Sequence, residues 1–223
     1  QRNLISAPVI DENNQLVGRI TIDDVVDVIR DQAEHSVMSM VGLDEDEDVF
    51  APIIQSSKKR SVWLGVNLVT AFIAVYFIGL FEATLQQKIA LAILMPVVAS
   101  MGGIAGTQTL IIVTRGIATG RVTTANIKTL INKEVALSGL NGIIWSIVIG
   151  LITYYWFADL LLSLIIALAI ITNLVVAAFS GAFLPLLLTK LKIDPALAGG
   201  VILTTITDVI GFVAFLGLAA LFI

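Results

Sequence analysis

The chain has no cysteine and a single histidine, His35. Disulfides and thiolate metal sites are therefore excluded, and no histidine cluster is available for a transition metal. Aromatic residues make up 7% of the 223 positions and charged residues 13%. No basic run is interleaved with aromatics on a polar segment, so no nucleic-acid partner is expected. There is no nucleophile–base pair, phosphate loop or metal-ligand cluster, and an enzyme is not expected. Positive charge is scarce at the N-terminal end. Twelve of the seventeen acids fall within the first 48 residues, beside only Arg2, Arg19 and Arg30. The net charge of −4 thus describes an acidic head. The chain opens at Gln1, without an initiator methionine or a signal peptide, and is read as a fragment that begins inside a globular domain.

What the chain has in abundance is apolar surface: 57% hydrophobic residues and a mean hydropathy of +0.98. Two regimes meet near Lys58-Lys59-Arg60. Before the join, Ala7-Pro-Val-Ile-Asp11 reads as a short strand ending in the turn cluster Glu12-Asn13-Asn14. Leu16-Val-Gly-Arg-Ile-Thr21 reads as its hairpin partner. Thr21 or Asp23 then caps a helix carrying Val25, Val26, Val28 and Ile29. About 30 residues cannot bury a stable core alone. Residues 32–61 form a connector with an apolar stripe at Val37, Met38, Met40, Val41 and Leu43, followed by Asp44-Glu-Asp-Glu-Asp48. Those adjacent carboxylates fit either a solvated loop or a regulatory divalent-cation surface.

After Arg60 five apolar runs reach the roughly 20 residues needed to cross a bilayer, at about 62–81, 89–114, 131–156, 160–188 and 196–222. Nine cations (Lys58, Lys59, Arg60, Arg115, Arg121, Lys128, Lys133, Lys190 and Lys192) fall on one side of these spans, and only Lys88 on the other. The positive-inside rule places the N-terminus in the cytoplasm and the C-terminus outside a multi-pass inner or plasma membrane.

Asp208 stands in the last run. A charge at membrane depth costs about 2.5–3.5 kcal/mol on insertion scales, so such a carboxylate marks an ion or proton route by default. Gly200, Thr204, Asp208 and Gly211 share one helix stripe, flanked by Thr205 and Thr207. In the second run, Pro96, Ser100, Gly103 and Thr107 share a face, while Gly102-x-x-x-Gly106 offers a close-packing seam on another. Proline and paired glycines free carbonyl oxygens, which membrane depth tolerates only against protein or a wet cavity. Ser138, Gly142, Ser146 and Gly150 form a small-residue seam in the third run. A hydrogen bond from Asn173 or Gln108 holding Asp208 protonated is the structural alternative. Oxygen ligands suit Mg²⁺, Ca²⁺ or Mn²⁺. A single carboxylate per chain suits hydrated Mg²⁺, with two copies of Asp208 meeting on a dimer axis.

Pro96 through Gln108, Thr114-Arg-Gly-Ile-Ala-Thr-Gly120, Ile193-Asp-Pro-Ala-Leu197 and Thr207-Asp208 together resemble the MgtE family of magnesium channels and transporters. Ala7 to Asp11 with Leu16 to Asp24 resembles the closing segment of a CBS domain, which in that family precedes the membrane part. The resemblance implies an all-α integral membrane protein with five transmembrane helices per subunit and a truncated α/β CBS remnant at the N-terminus. It divides the chain into 1–31, the end of a CBS domain; 32–61, the connecting or plug helix region; and 62–223, the transmembrane pore domain. It implies a homodimer in the lipid bilayer with a Mg²⁺ pore lined by the second and fifth spans. Asp208, Thr204, Gly103 and Thr107 would lie at the ion, and Pro96, Ser100, Gly200 and Gly211 would line the path. Cytoplasmic Mg²⁺ would be the regulatory ligand that closes the pore. ATP is a possible CBS ligand in the family, and Thr21 and Asp24 match positions that hold a nucleotide ribose. Two positions depart from the family pattern: Ile104 follows Gly-Gly where asparagine is frequent, and Thr107 stands where asparagine is common. Both are expected to remove polar oxygen near the ion path. The alternatives are a secondary transporter coupling Mg²⁺ to Na⁺ or H⁺, with Asp208 titrating, and a membrane-anchored CBS regulator, which would not need Asp208.

Overall fold

A computed structural model describes residues 5–39, 50, 52–123 and 125–223, without the side chains of residues 32–37 and 197. The acidic run at 44–48 and the connector residues Met40, Val41 and Leu43 lie outside the described residues. The chain forms two units, Gln1–Lys59 and Arg60–Ile223.

In the first unit, strands β1 (Ser6–Ile10) and β2 (Leu16–Thr21) pair antiparallel, with Ser6 opposite Thr21 and an irregularity between Val9 and Ile10. The turn follows from its residues. Asp11 Oδ1 accepts from the backbone N–H of Asn13 at 2.9 Å and of Gln15 at 2.8 Å, and Asn14 takes φ of 60°, a region asparagine tolerates better than most residues. Helix α1 (Ile22–Ser39) starts directly after β2. Of the two caps the sequence offers, Thr21 is the one used. Its N–H and hydroxyl both donate to Asp24 Oδ2, at 2.7 and 2.8 Å, one half of a capping box. These bonds, the backbone one foremost, hold the Asp24 carboxyl below its usual range.

The second unit is helical, and its first helix runs into it from the first unit. The helices are α2 (Ile53–Gly79), the short α3 (Glu82–Gln87), α4 (Ile89–Ala118), α5 (Ile127–Phe157), α6 (Leu160–Lys190) and α7 (Pro195–Phe222). Five of them are long and apolar enough to span a membrane. The first begins earlier than its hydropathy predicts. Pro52 accepts the first helical hydrogen bonds through its carbonyl, and Lys58, Lys59 and Arg60 are good helix formers, so the basic cluster lies within α2. Helix α3 is an addition: Phe81 and Leu85 pack against the membrane core, which folds the loop into a short turn over α4 and α7.

Helix α6 is the centre of the bundle, packing on α4, α5 and α7, with α4 also against α7. Leu91, Val98, Ile166, Ile170, Phe215 and Leu216 are all essentially inaccessible within this core. The Ser138, Gly142, Ser146 and Gly150 seam of α5 faces α6. A Cβ on Gly142 would meet Ile171 Cα at 3.3 Å, and one on Gly150 would meet the Ser163 carbonyl at 3.5 Å. Helix α2 buries one residue, Ala74.

Asp159 caps α6 by accepting from Leu162 N–H at 2.9 Å and pairs with Lys88, the residue before α4. The N–H of Leu162 and, after it, Lys88 hold this carboxyl below the usual range. Its contribution is complete above the unfolded carboxylate value of about 4 and disappears as pH falls through the lowered folded value. Asp159→Asn is expected to cost about 1 kcal/mol, read as a fall in thermal midpoint at neutral pH that shrinks below about pH 4.

Candidate ion-binding site

The glycines decide how α4 and α7 approach their neighbours. Gly102 and Gly106 are buried: a Cβ on Gly102 would sit 2.2 Å from Asn173 Nδ2 of α6, and one on Gly106 3.0 Å from Leu203 of α7. The Gly-x-x-x-Gly pair is therefore the packing face of α4. Gly103 and Thr107, one position further round, are half-buried, and a Cβ on Gly103 would meet nothing within 4 Å. Pro96 and Ser100 are exposed. Pro96 has no N–H for the Ala92 carbonyl, which loosens the ladder on this helix.

Helix α7 begins with its own cap, Asp194 Oδ1 accepting from Ala196 N–H at 2.8 Å, and Pro195 at the first helical position. Further along, Gly200 and Asp208 are half-buried and Thr204 is exposed. The threonine hydroxyls donate to their own helix: Thr204 to the carbonyls of Gly200 and Val201, Thr205 to Val201, and Thr207 to Thr204. Their remaining lone pairs are acceptors, so Thr204 and Thr205 offer oxygen to a cation or its water. Thr207 is wholly buried. Asp208 has no hydrogen-bond or ion-pair partner among the described residues, and no three acids or histidines converge there to form a cage.

Three expectations change. Asn173 does not serve Asp208. It is fully buried, donates to the Val98 carbonyl at 2.9 Å, and leaves its Oδ1 unpaired. Gln108 and Ile104 line a cavity between α4 and α5, so Ile104 bears on that crevice. Gly211 shares the stripe of Gly200 and Thr204, but at its level α4 and α6 close over it: a Cβ there would lie 2.6 Å from Asn173 and 3.1 Å from Val98. Of the eight positions expected at the ion or along its path, seven are exposed or half-buried and Gly211 is buried.

The spans alone did not single out Glu134. It is 3% exposed at the start of α5 and accepts a 3.4 Å hydrogen bond from Thr109 of α4. A lone acid after Lys133 in a span was the available signal.

A sequence model of the MgtE family, described as a divalent cation transporter, matches residues 95–218. Proteins named "Magnesium transporter MgtE" are similar over nearly the whole chain. The protein of Bacillus subtilis is 33% identical over 99% of this chain and 49% of its own length. That of Enterococcus faecalis is 29% identical over 99% of this chain and 48% of its own length. That of Thermus thermophilus is 30% identical over 96% of this chain and 48% of its own length. The chain thus spans about half the length of the curated relatives it matches. With five apolar helices of spanning length, and with the matched region covering α4 to α7 and hence Gly103, Thr107 and Asp208, this multi-pass membrane protein belongs to the MgtE family of divalent cation transporters.

Proposed function

We propose that this chain conducts Mg²⁺ across the membrane as a homodimer, through a pore formed where the α4 and α7 faces of two copies meet. The observation that carries the reading is Asp208: a carboxylate in the last span, half-exposed at the bundle surface, without a protein partner among the described residues. A lone membrane charge is costly, and a second copy of the same face, with ions between, would compensate it. Mg²⁺ dehydrates reluctantly and is commonly held through its waters by one or two carboxylates. Two Asp208 side chains, with Thr204, Thr107 and the open backbone at Gly103, match that need. The names of the relatives support Mg²⁺ as the cargo.

In this reading residues 1–31 end a CBS domain, 32–61 are the connecting plug region, and 62–223 form the pore. The nine-to-one cation bias supports a cytoplasmic N-terminus. Gating by cytoplasmic Mg²⁺, and ATP at the CBS domain, belong to the complete protein. Thr21 and Asp24 here serve each other as a helix cap, so a nucleotide ribose would have to share or displace that bond.

A divalent ion gains about 2.3 kcal/mol per charge per 100 mV from an inward-negative potential. Vesicles carrying only a K⁺ diffusion potential are therefore expected to accumulate Mg²⁺, at a rate that rises with the potential. Uptake that appears only with an imposed Na⁺ or H⁺ gradient would replace the channel by the coupled transporter.

A further inference from the structure

Helix α4 ends in a Schellman motif: Gly120, at φ of 67°, donates to Ile117, and Arg121 donates to Gly116. Asn126 then locks the returning loop. Its Oδ1 accepts from Thr123 N–H at 2.8 Å, and its Nδ2 donates to the Arg121 carbonyl at 2.8 Å. Beside these bonds, α4 and α5 border a cavity of about 540 Å³. Arg115, Arg121 and Lys133 line it, with Thr119, Asn126 and Thr129. No carboxylate lines it, and none of the three cations forms an ion pair among the described residues. Glu134, next to Lys133, faces a separate space with Thr109.

That space, about 320 Å³, lies further along the membrane-spanning part of α4 and α5. Ile112 borders both cavities. Beyond it the walls include Met101, Ile104, Leu137 and Trp145, with Gln108, Glu134 and Asn141 among them. A basic mouth at the helix ends thus adjoins, across Ile112, a mostly apolar slot along the spans.

We propose that this α4–α5 crevice binds one anionic phospholipid, its phosphate held by Arg115, Arg121 and Lys133 and one acyl chain running past Ile112 toward Trp145. The guanidinium forks match phosphate oxygens in pairs, and basic pockets between spans on the cytoplasmic side are suited to anionic headgroups. These three exposed cations, with no counter-charge among the described residues, otherwise face only water at the membrane surface, where an anionic lipid is at high local concentration. The slot adds a chain-binding contribution that a soluble phosphate lacks.

The test uses the purified protein in neutral detergent, with thermal midpoint and native mass spectrometry as readouts. Phosphatidylglycerol is expected to raise the midpoint by several degrees and to leave one retained lipid per chain, whereas phosphatidylcholine does neither. Arg121→Gln and Lys133→Gln, singly, should each weaken the retained lipid by about fivefold or more, consistent with the value of one juxtamembrane cation. Lys190→Gln, on the same side but outside the crevice, should leave retention unchanged. Ile112→Trp, which blocks the junction of the two cavities, should release the lipid with every cation intact. Midpoints in phosphatidylcholine report whether each variant is folded. Equal stabilisation by glycerol 3-phosphate or inorganic phosphate would assign the mouth to a soluble ester and overturn the lipid. Retention unaffected by Arg121→Gln, Lys133→Gln and Ile112→Trp would overturn the site itself.

Discussion

Asp208→Ala is expected to reduce Mg²⁺ flux in liposomes by at least about 100-fold while leaving the protein folded. A hydrated divalent ion at membrane depth has lost most of its surrounding solvent, and the protein must replace that solvation with oxygen dipoles and negative charge. Each chain supplies one carboxylate on the α4–α7 face. The threonine hydroxyls are neutral and already donate to the helix backbone, so they cannot replace it. Asp208→Asn keeps the size and a carbonyl oxygen but loses the charge, and should be nearly as inactive. Asp208→Glu keeps the charge but moves it by one methylene, and should retain partial flux. Stability should move in the opposite sense. The carboxylate has no partner among the described residues, so its removal breaks no bond, and the thermal midpoint should stay level or rise. Undiminished flux in Asp208→Ala would sink the pore assignment.

Gly181→Ala is expected to produce the largest loss of stability from one added methyl group. Its Cβ would stand 2.5 Å from the Gly106 carbonyl oxygen, 3.1 Å from Thr109 Cβ and 3.2 Å from the Leu110 nitrogen. Two of those neighbours are backbone atoms of α4, so no rotamer change relieves the contact and the helices must separate. Overpacking against backbone falls at the upper end of about 1–3 kcal/mol or beyond, of which the roughly 1 kcal/mol that alanine gains over glycine in helix propensity offsets only part. A pronounced drop in thermal midpoint in detergent should result, with Mg²⁺ flux falling alongside because α4 carries Gly103 and Thr107. Gly103→Ala is the contrast. It meets nothing within 4 Å in the chain, so folding should be unchanged or improved. If flux also survives Gly103→Ala, backbone access at that position is not part of the ion path.

The two predictions differ in how far the residues alone could supply them. Asp208 is conspicuous because a carboxylate in a run of apolar residues needs no structure to be noticed. The five spans, the hairpin around Asn14 and the cap before α1 come from equally local properties: hydropathy over about 20 residues, left-handed tolerance and side-chain reach to a nearby N–H. Gly181 was one small residue among many, and its partner Gly106 lies 75 positions away. Asn173 was a reasonable partner for Asp208 by polarity, yet α6 sits where its amide meets the Val98 carbonyl of α4. Glu134 is buried where Thr109 of a different helix donates to it.

Local chemistry therefore set the five apolar runs long enough to cross a bilayer, though not the early start of α2 or the short α3, together with the one acid that a membrane would not tolerate without cause. The rotation of each helix about its own axis was beyond that reach. A helix stripe such as Gly200, Thr204 and Gly211 is uniform by periodicity. Whether a given position is open or covered depends on how closely α4 and α6 cross at that height, a sum over contacts between segments far apart in the chain. That sum covered Gly211, left Asp208 at the surface, and opened the basic crevice between α4 and α5.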